Sequence, residues 1–219
     1  MSQVSSTPKA VIFDMDGVIV DSEPLHERAF REVFAKMGFD ESRHGIDFKR
    51  YYGKSDRALW LDFIEMHSPE KPLEELLAWK QEHFLTILRE RRPIFPPIPD
   101  LVAALAARYP LAVASGSNHP VIDEVLAMQG LRRFFGVVVS VQDVARSKPF
   151  PDVFLRAAEL LGADPRTCVV IEDSAAGVKA ACDAGMRVIA ITNTLAAADL
   201  TLAHHIVQGY DEIERLLLQ

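Results

Sequence analysis

Two carboxylates one residue apart, Asp14 and Asp16, follow an uninterrupted apolar run at 10–13 and precede Gly17. The apolar run is typical of a buried strand, and Gly17 permits a sharp turn directly after it. Two anions at the end of a buried strand repel each other and lose hydration, so they need compensation. A hard divalent cation held by oxygens is the simplest compensation. The alternative is a solvated boundary between strand and loop, where Asp and Gly are common.

Three further groups of polar residues come directly after predicted strands, or in the loop that follows one. Carboxyl ends of parallel strands meet at one edge of a sheet, and ligands bind outside that edge. Each group alone is more often a helix cap or a solvated loop than a functional site. Their joint placement predicts one site at one edge. The groups are Ser115, Gly116, Ser117 and Asn118 after the strand 111–114, Lys148 after the strand 137–140, and Glu172 with Asp173 after the strand 168–171.

The acidic residues of this set fit a magnesium site. Asp14, Asp173 and Glu172 offer the hard oxygens that Mg²⁺ prefers, and Mg²⁺ takes few protein ligands because it keeps waters. Lys148 places a positive charge beside these anions, which would otherwise be hard to hold together.

The remaining groups fit phosphoryl transfer. Ser115 and the backbone N–H groups around Gly116 and Ser117 could hydrogen-bond a phosphoryl oxygen at the start of the following helix. One carboxylate can attack phosphorus and form an aspartyl-phosphate, while a second protonates the leaving oxygen and later activates water. We expect Asp14 in the first role and Asp16 in the second.

The elements that position these residues form an alternating pattern after residue 99. Short apolar strands alternate with amphipathic helices, which implies a parallel sheet with helices on both faces, an α/β Rossmann-like core that includes the strand 10–13. The predicted helices are 100–108, 120–128, 152–161, 176–184 and 211–218. The remaining predicted strands are 188–191 and a weak one at 205–207.

Residues 22–92 have a different character, because three helical apolar stripes follow one another without a strand signal. The proline-rich stretch 93–99 predicts a stiff connector with little helix. We therefore predict a core domain of residues 1–21 and 93–219 and an inserted all-helical domain of residues 22–92.

Composition limits the partners. The chain has 219 residues, a net charge of −7 and no basic cluster, which argues against a nucleic acid or an anionic membrane as partner. The first nine residues are polar and unlike a signal peptide, and two Asp residues interrupt the apolar run that begins at Val11. Cys168 and Cys182 are predicted to be buried thiols in a reducing compartment. We expect a cytoplasmic protein.

These residues resemble motifs of the haloacid dehalogenase superfamily of phosphotransferases, over essentially the whole chain from Lys9. Asp14-Met15-Asp16-Gly17-Val18 resembles the first motif, Ser115 the second, Lys148 the third and Glu172-Asp173 the fourth. The runs 21–26 and 147–152 further resemble the branch that contains β-phosphoglucomutase and small sugar-phosphate phosphatases. The second Asp of the first motif is lacking in the dehalogenases, so its presence favours phosphate chemistry.

The resemblance implies roles for these residues. Asp14 would be the nucleophile and Asp16 the acid and base. Mg²⁺ would be bound by Asp14, the backbone carbonyl of Asp16 and Asp173, with Glu172 beside it. The residues implied to hold the phosphoryl group are Ser115 and Lys148.

The helical block resembles the cap of this branch, which closes over the site and shapes the choice of leaving group. In β-phosphoglucomutase a Gly-x-Ser-Arg loop of the cap grips a distal phosphate. The matching stretch here is Gly53-Lys54-Ser55-Asp56, with Asp in the place of that Arg, although Lys54 or Arg57 could substitute. The acidic residue favours a phosphatase over a mutase. Other residues assigned to substrate contact are Gly17 and His26.

We therefore expect a magnesium-dependent phosphatase that acts on small phosphorylated metabolites, sugar or polyol phosphates, and a monomer. A phosphosugar mutase is the alternative enzyme. A phospho-acceptor switch like a receiver domain is the alternative of another class, and receivers have no inserted helical lid.

Overall fold

The computed structural model describes residues 7–52 and 55–219. The chain divides into two compact units, one of Met1–Val20 with Ile94–Gln219 and one of Asp21–Pro93. The strands are β1 (Ala10–Phe13), β2 (Leu111–Ala114), β3 (Val137–Val139), β4 (Cys168–Glu172), β5 (Arg187–Ile191) and β6 (His205–Val207). The helices are α1 (Glu23–Lys36), α2 (Asp56–His67), α3 (Leu73–Arg91), α4 (Ile98–Ala106), α5 (His119–Ala127), α6 (Asp152–Leu161), α7 (Ala175–Asp183) and α8 (Tyr210–Leu218). Short 3-10 helices such as Phe48–Tyr51 and Val141–Asp143 lie between them.

The six strands form one sheet with the order β3-β2-β1-β4-β5-β6, and every neighbouring pair is parallel. The predicted α/β fold with a parallel sheet is confirmed. From β1 the chain passes through β2 to β3 on one side, and β4 to β6 add on the other side. Strand order therefore reverses beside β1, where open α/β sheets bind ligands.

Both faces of the sheet are covered, which explains the uninterrupted apolar strands. All four residues of β1 have no exposed surface. One face packs against α6 and α7 through apolar side chains such as Val153, Phe154 and Val178. On the other face Phe13 meets Phe135 edge to face.

The helical unit has an aromatic core of its own. Phe34 stacks on Phe63 with ring centroids 4.3 Å apart, and Trp60 packs edge-on against both rings. Helix α3 buries one stripe at a spacing of four residues. Its members are Leu76, Lys80, Phe84 and Leu88.

Two predictions about this framework are wrong. Helix α4 begins at Ile98, inside the stretch predicted as a connector, because Pro99 lies in its first turn, where a missing N–H costs no hydrogen bond. Cys168 is buried as predicted, but Cys182 is only half-buried, and both thiols are free. None of the helices in the described ranges has the length and apolar composition that a membrane span requires.

Candidate active site

Three carboxylates lie together at the carboxyl edge of the sheet. Asp14 follows β1, Glu172 ends β4 and Asp173 follows it, and the two strands are parallel neighbours in which Phe13 pairs with Ile171. Each carboxylate offers an oxygen, and these oxygens lie within 4.8 Å of one another. All three side chains are buried. Strand pairing therefore brings residues about 160 positions apart into one acidic cluster.

Glu172 is held in place by hydrogen bonds from the start of α7. Its Oε2 accepts from the backbone N–H of Asp173 and of Ser174, both at 2.8 Å, and from the Ser174 hydroxyl at 2.9 Å. A Cβ at Gly177 would lie 1.5 Å from Glu172 Oε1. Gly177 therefore leaves the space in which this fully buried carboxylate sits.

Lys148 provides the positive charge of the cluster. Its Nζ lies 2.7 Å from Asp14 Oδ1 and 2.6 Å from Glu172 Oε1. Burial alone would lower the pKa of Lys148, but the two carboxylates outweigh it, and the net pKa is raised. Lys148 is therefore a fixed cation that bridges β1 and β4.

The charges of the cluster do not balance. In the described parts of the chain, one ammonium faces three carboxylates, which would leave two negative charges if all three were ionised. Burial, only partly opposed by Lys148, raises the pKa of Asp14 to about 7 and that of Asp173 well above its ordinary value. A divalent cation would restore the balance, and carboxylate oxygens are the ligands that Mg²⁺ prefers. The residues present therefore fit the Mg²⁺ ion that the sequence predicts.

Asp16 points to different partners. Its Oδ2 accepts a hydrogen bond from the Ser117 hydroxyl at 2.8 Å and lies 3.5 Å from the Ser115 hydroxyl. Ser115 Oγ in turn accepts from the backbone N–H of Ser117 at 3.0 Å. The Asp16 carboxylate is outside the acidic cluster. The two carboxylates of the first motif are thus held in different environments.

The other residues of this unit that the sequence assigned to substrate contact follow β1 and β2, and their surroundings differ. Gly17 adopts a φ of +72°, and a Cβ there would lie 1.7 Å from Asp173 Oδ2, so the turn requires glycine. Gly116 is exposed, and a Cβ there would meet no atom within 4 Å. Asn118 is the N-cap residue of α5, and its side chain makes no capping hydrogen bond.

The predicted residues of the helical unit separate into two groups. His26 on α1 stacks on Phe84 with centroids 3.9 Å apart, and its Nδ1 is 3.6 Å from Asp56. Arg57 pairs instead with Glu74 at 2.9 Å on the exposed surface. Ser55 is the N-cap residue of α2. Gly53 and Lys54 lie outside the described residues.

Sequence reasoning missed Lys80. Its Nζ is 2.7 Å from Asp56 Oδ2 and hydrogen-bonds His26 Nδ1, and the residue is 1% exposed. The signal was available, because Lys80 lies four residues from both Leu76 and Phe84 and therefore on the buried face of α3.

Sequence reasoning also missed the segment after β5. Thr194 hydrogen-bonds the Asp173 carboxylate. Asn193 Nδ2 donates to the backbone carbonyl of Gly17 at 2.8 Å. Both follow a strand of the same parallel sheet, which was the signal that identified the other groups.

Comparisons with known proteins agree with these motifs. Fructose-1-phosphate phosphatase YqaB of Escherichia coli K12 is 34% identical over 183 residues, which cover 82% of this chain and 94% of that protein. Hexitol phosphatase B of the same strain is 35% identical over 192 residues, covering 85% and 86%. The structure of CbbY from Rhodobacter sphaeroides in complex with xylulose 1,5-bisphosphate has a TM-score of 0.82 at 26% identity, covering 94% of this chain and 96% of that one.

A family model described as haloacid dehalogenase-like hydrolase matches residues 8–185, which include all four motifs. The prediction of an enzyme of this superfamily is confirmed by that match together with the relatives above 30% identity. The chain belongs to the haloacid dehalogenase-like hydrolase family.

Proposed function

We propose that this protein is a magnesium-dependent phosphatase of small phosphorylated metabolites, with sugar or polyol phosphates as substrates. One observation carries the proposal: Lys148 bridges Asp14 and Glu172 within a buried acidic cluster that retains excess negative charge. Such a cluster binds a divalent cation and, with its lysine, a phosphoryl group. The names of the two phosphatase relatives support this class of substrate.

Asp14 and Asp173 would hold Mg²⁺ together with the backbone carbonyl of Asp16, and Glu172 would lie beside the ion, where it holds Lys148. Bound Mg²⁺ would offset negative charge on the phosphoryl oxygens. Lys148 supplies a second positive charge at the same place, so that the anionic nucleophile can approach an anionic substrate.

The reaction would proceed in two displacements. An Asp14 oxygen attacks phosphorus, a new O–P bond forms, and the bond from phosphorus to the leaving oxygen breaks. Protonated Asp16 gives its proton to that leaving oxygen. Asp16 then takes a proton from water, whose oxygen attacks the aspartyl-phosphate and releases inorganic phosphate. Asp14 is thereby restored as a carboxylate.

The separate environments of Asp14 and Asp16 support this division of roles. Asp14 touches Lys148, which favours its ionised form, whereas Asp16 is held by the hydroxyls of Ser115 and Ser117. A carboxyl group outside the acidic cluster can exchange a proton with the leaving group without losing a metal ligand.

The inserted helical unit would act as a cap that selects the leaving group. Its buried cation, Lys80, is matched by Asp56 and hydrogen-bonded to His26. A matched charge attracts a second phosphate poorly, whereas Asp and His side chains suit hydroxyl groups. These contacts favour a monophosphate with a hydroxylated leaving group, and hence a phosphatase rather than a mutase.

The test is a phosphate-release screen over hexose, pentose and hexitol monophosphates, together with a sugar bisphosphate, in Mg²⁺ and in excess chelator. We expect Mg²⁺-dependent release, fastest from monophosphates. Isomerisation of a sugar phosphate without phosphate release would instead establish a mutase. An Asp14 phosphate that survives for hours without turnover would establish a signalling switch.

A further inference from the structure

The turn that connects Asp14 to the second unit is closed by its own backbone. Gly17 N–H donates to the Val20 carbonyl at 2.8 Å, and Ile19 N–H donates to the Met15 carbonyl at 2.8 Å. Val20 also forms a bridge with Ile94, where the chain returns to the first unit. The turn 15–20 is therefore a compact loop within the unit that holds the acidic cluster.

Two side chains from the last part of the sequence, Asn193 and Tyr210, bind backbone carbonyls of this turn. Asn193 Nδ2 donates to the Gly17 carbonyl and to the Tyr210 hydroxyl oxygen, both at 2.8 Å. The Tyr210 hydroxyl donates to the Val18 carbonyl at 2.8 Å. The Asn193 amide donates both of its hydrogens, and the Tyr210 hydroxyl donates its single hydrogen. Each of the three hydrogen bonds therefore has its own donor hydrogen. Tyr210 is buried, with its ring against Phe95.

The position of the turn bears directly on the acidic cluster. A Cβ at Gly17 would lie 1.7 Å from Asp173 Oδ2 and 2.6 Å from Thr194 Oγ1, so the Gly17 backbone closely approaches that carboxylate. The same turn begins one residue after Asp14. A shift of the turn would therefore alter both Asp14 and the space beside Asp173.

We propose that Asn193 and Tyr210 are positioning residues for the nucleophile turn, the segment 15–20. They bind the carbonyls of Gly17 and Val18 and so fix Asp14 relative to Asp173. This inference rests on the proposed phosphatase function. A role of this kind predicts a loss in turnover larger than the loss in stability, because each hydrogen bond that is removed contributes only about 1 kcal/mol to folding.

The experiment compares Asn193→Ala and Tyr210→Phe with the control Tyr109→Phe in the full chain. Tyr109 is as buried as Tyr210, and its hydroxyl donates to the Leu217 carbonyl of α8 at 2.7 Å. The control therefore deletes a buried tyrosine hydroxyl that also involves α8, but its hydrogen bond goes to the Leu217 carbonyl of that helix and not to the nucleophile turn. Each variant is measured for kcat and KM, thermal unfolding and amide hydrogen exchange of the turn.

We expect kcat of Asn193→Ala to fall by as much as about 100-fold, because small misplacements of reacting groups are costly, with KM unchanged. Tyr210→Phe should lose less, since the Asn193 bond to Gly17 remains. Exchange of the turn amides should accelerate in both variants. Tyr109→Phe should match wild type in kcat and in amide exchange of the turn. Its loss of thermal stability should be similar to that of Tyr210→Phe.

Equal kcat values for all three variants, or equal exchange of the turn, would overturn the positioning role while wild-type turnover continued. A wild-type protein without phosphate release would count against the proposed function instead. In that case the exchange measurement still tests the positioning role. Faster amide exchange of the turn in Asn193→Ala than in wild type would support this role, and unchanged exchange would overturn it.

Discussion

Two lysines with little exposed side-chain surface, one in each unit, have surroundings that differ in charge. Among the described residues, Lys148 contacts two carboxylates in a cluster of three, and Lys80 contacts a carboxylate and a histidine. Each also lies over aromatic rings, at 4.9 Å from the centroid of Phe154 for Lys148 and at 4.8 Å from those of Phe30 and Phe84 for Lys80. Both ammonium groups therefore have aromatic neighbours, but the carboxylates around them differ in number.

The difference lies in what each cluster still lacks. Around Lys148 the described carboxylates outnumber the cations, and Glu172 is fully buried, so the cluster offers oxygens that could hold an added cation. Around Lys80, among the residues that the structure describes, one ammonium pairs with one carboxylate, and the side chain of Asp56 keeps 32% of its surface in solvent. The cluster around Lys148 is suited to bind an added cation, whereas the cluster around Lys80 pairs its charges internally.

The largest expected effect is on the first cluster. Asp14→Asn removes the proposed nucleophile and one metal ligand while keeping the shape of the side chain. We expect the turnover rate to fall by roughly 10⁴-fold or more, as when other nucleophiles are removed. Steady-state phosphate release measures this, with circular dichroism as the check that the fold persists. A folded variant with substantial residual turnover would contradict the assignment.

The same substitution at both lysines compares the clusters directly. Lys148→Met leaves Glu172 buried without its cation and should cost about 3–5 kcal/mol of stability. Lys80→Met leaves Asp56 partly hydrated and should change stability by less than about 1 kcal/mol. Urea unfolding without divalent cations, followed by far-UV circular dichroism, measures both. Equal losses would mean that the difference in charge balance between the clusters has no energetic consequence.

Magnesium should stabilise only the first cluster. At a concentration 100 times its Kd, a ligand that binds only the folded state stabilises it by about 2.7 kcal/mol. We expect thermal unfolding to show this gain in wild type and in Lys80→Met, and to lose it in Asp173→Asn. If Asp173→Asn kept the full gain, the cation would bind elsewhere.

The smallest expected effect concerns selectivity. Asp56→Asn removes the negative charge that matches Lys80 and keeps the size of the side chain. We expect KM for a sugar bisphosphate to fall by about tenfold relative to a monophosphate, equivalent to about 1.4 kcal/mol. Arg57→Gln is the matched control on the same helix, because its exposed pair with Glu74 contributes little. An unchanged ratio of KM values would separate the Lys80 cluster from substrate selection.

Much of the fold and of the candidate site could be predicted from local patterns. The strands 10–13, 111–114 and 205–207 have the predicted bounds, because each is an apolar run that ends in polar or turn-forming residues. The polar residues that follow the strands predicted the acidic cluster and Lys148, because parallel strands place their carboxyl ends at one edge of the sheet. Helix α4 began earlier than predicted, because a proline in a first turn reads as a break in sequence.

The sequence by itself determined which residues lie at the carboxyl edge of the sheet and which faces of the helices are apolar, since both follow from periodicity along the chain. Only the tertiary structure decided their partners. It joined Asp16 to Ser117, Asp56 to Lys80 and Gly17 to Asn193. The physical reason is that periodicity specifies the direction of a side chain from its own element, whereas a contact depends on how distant elements pack around it.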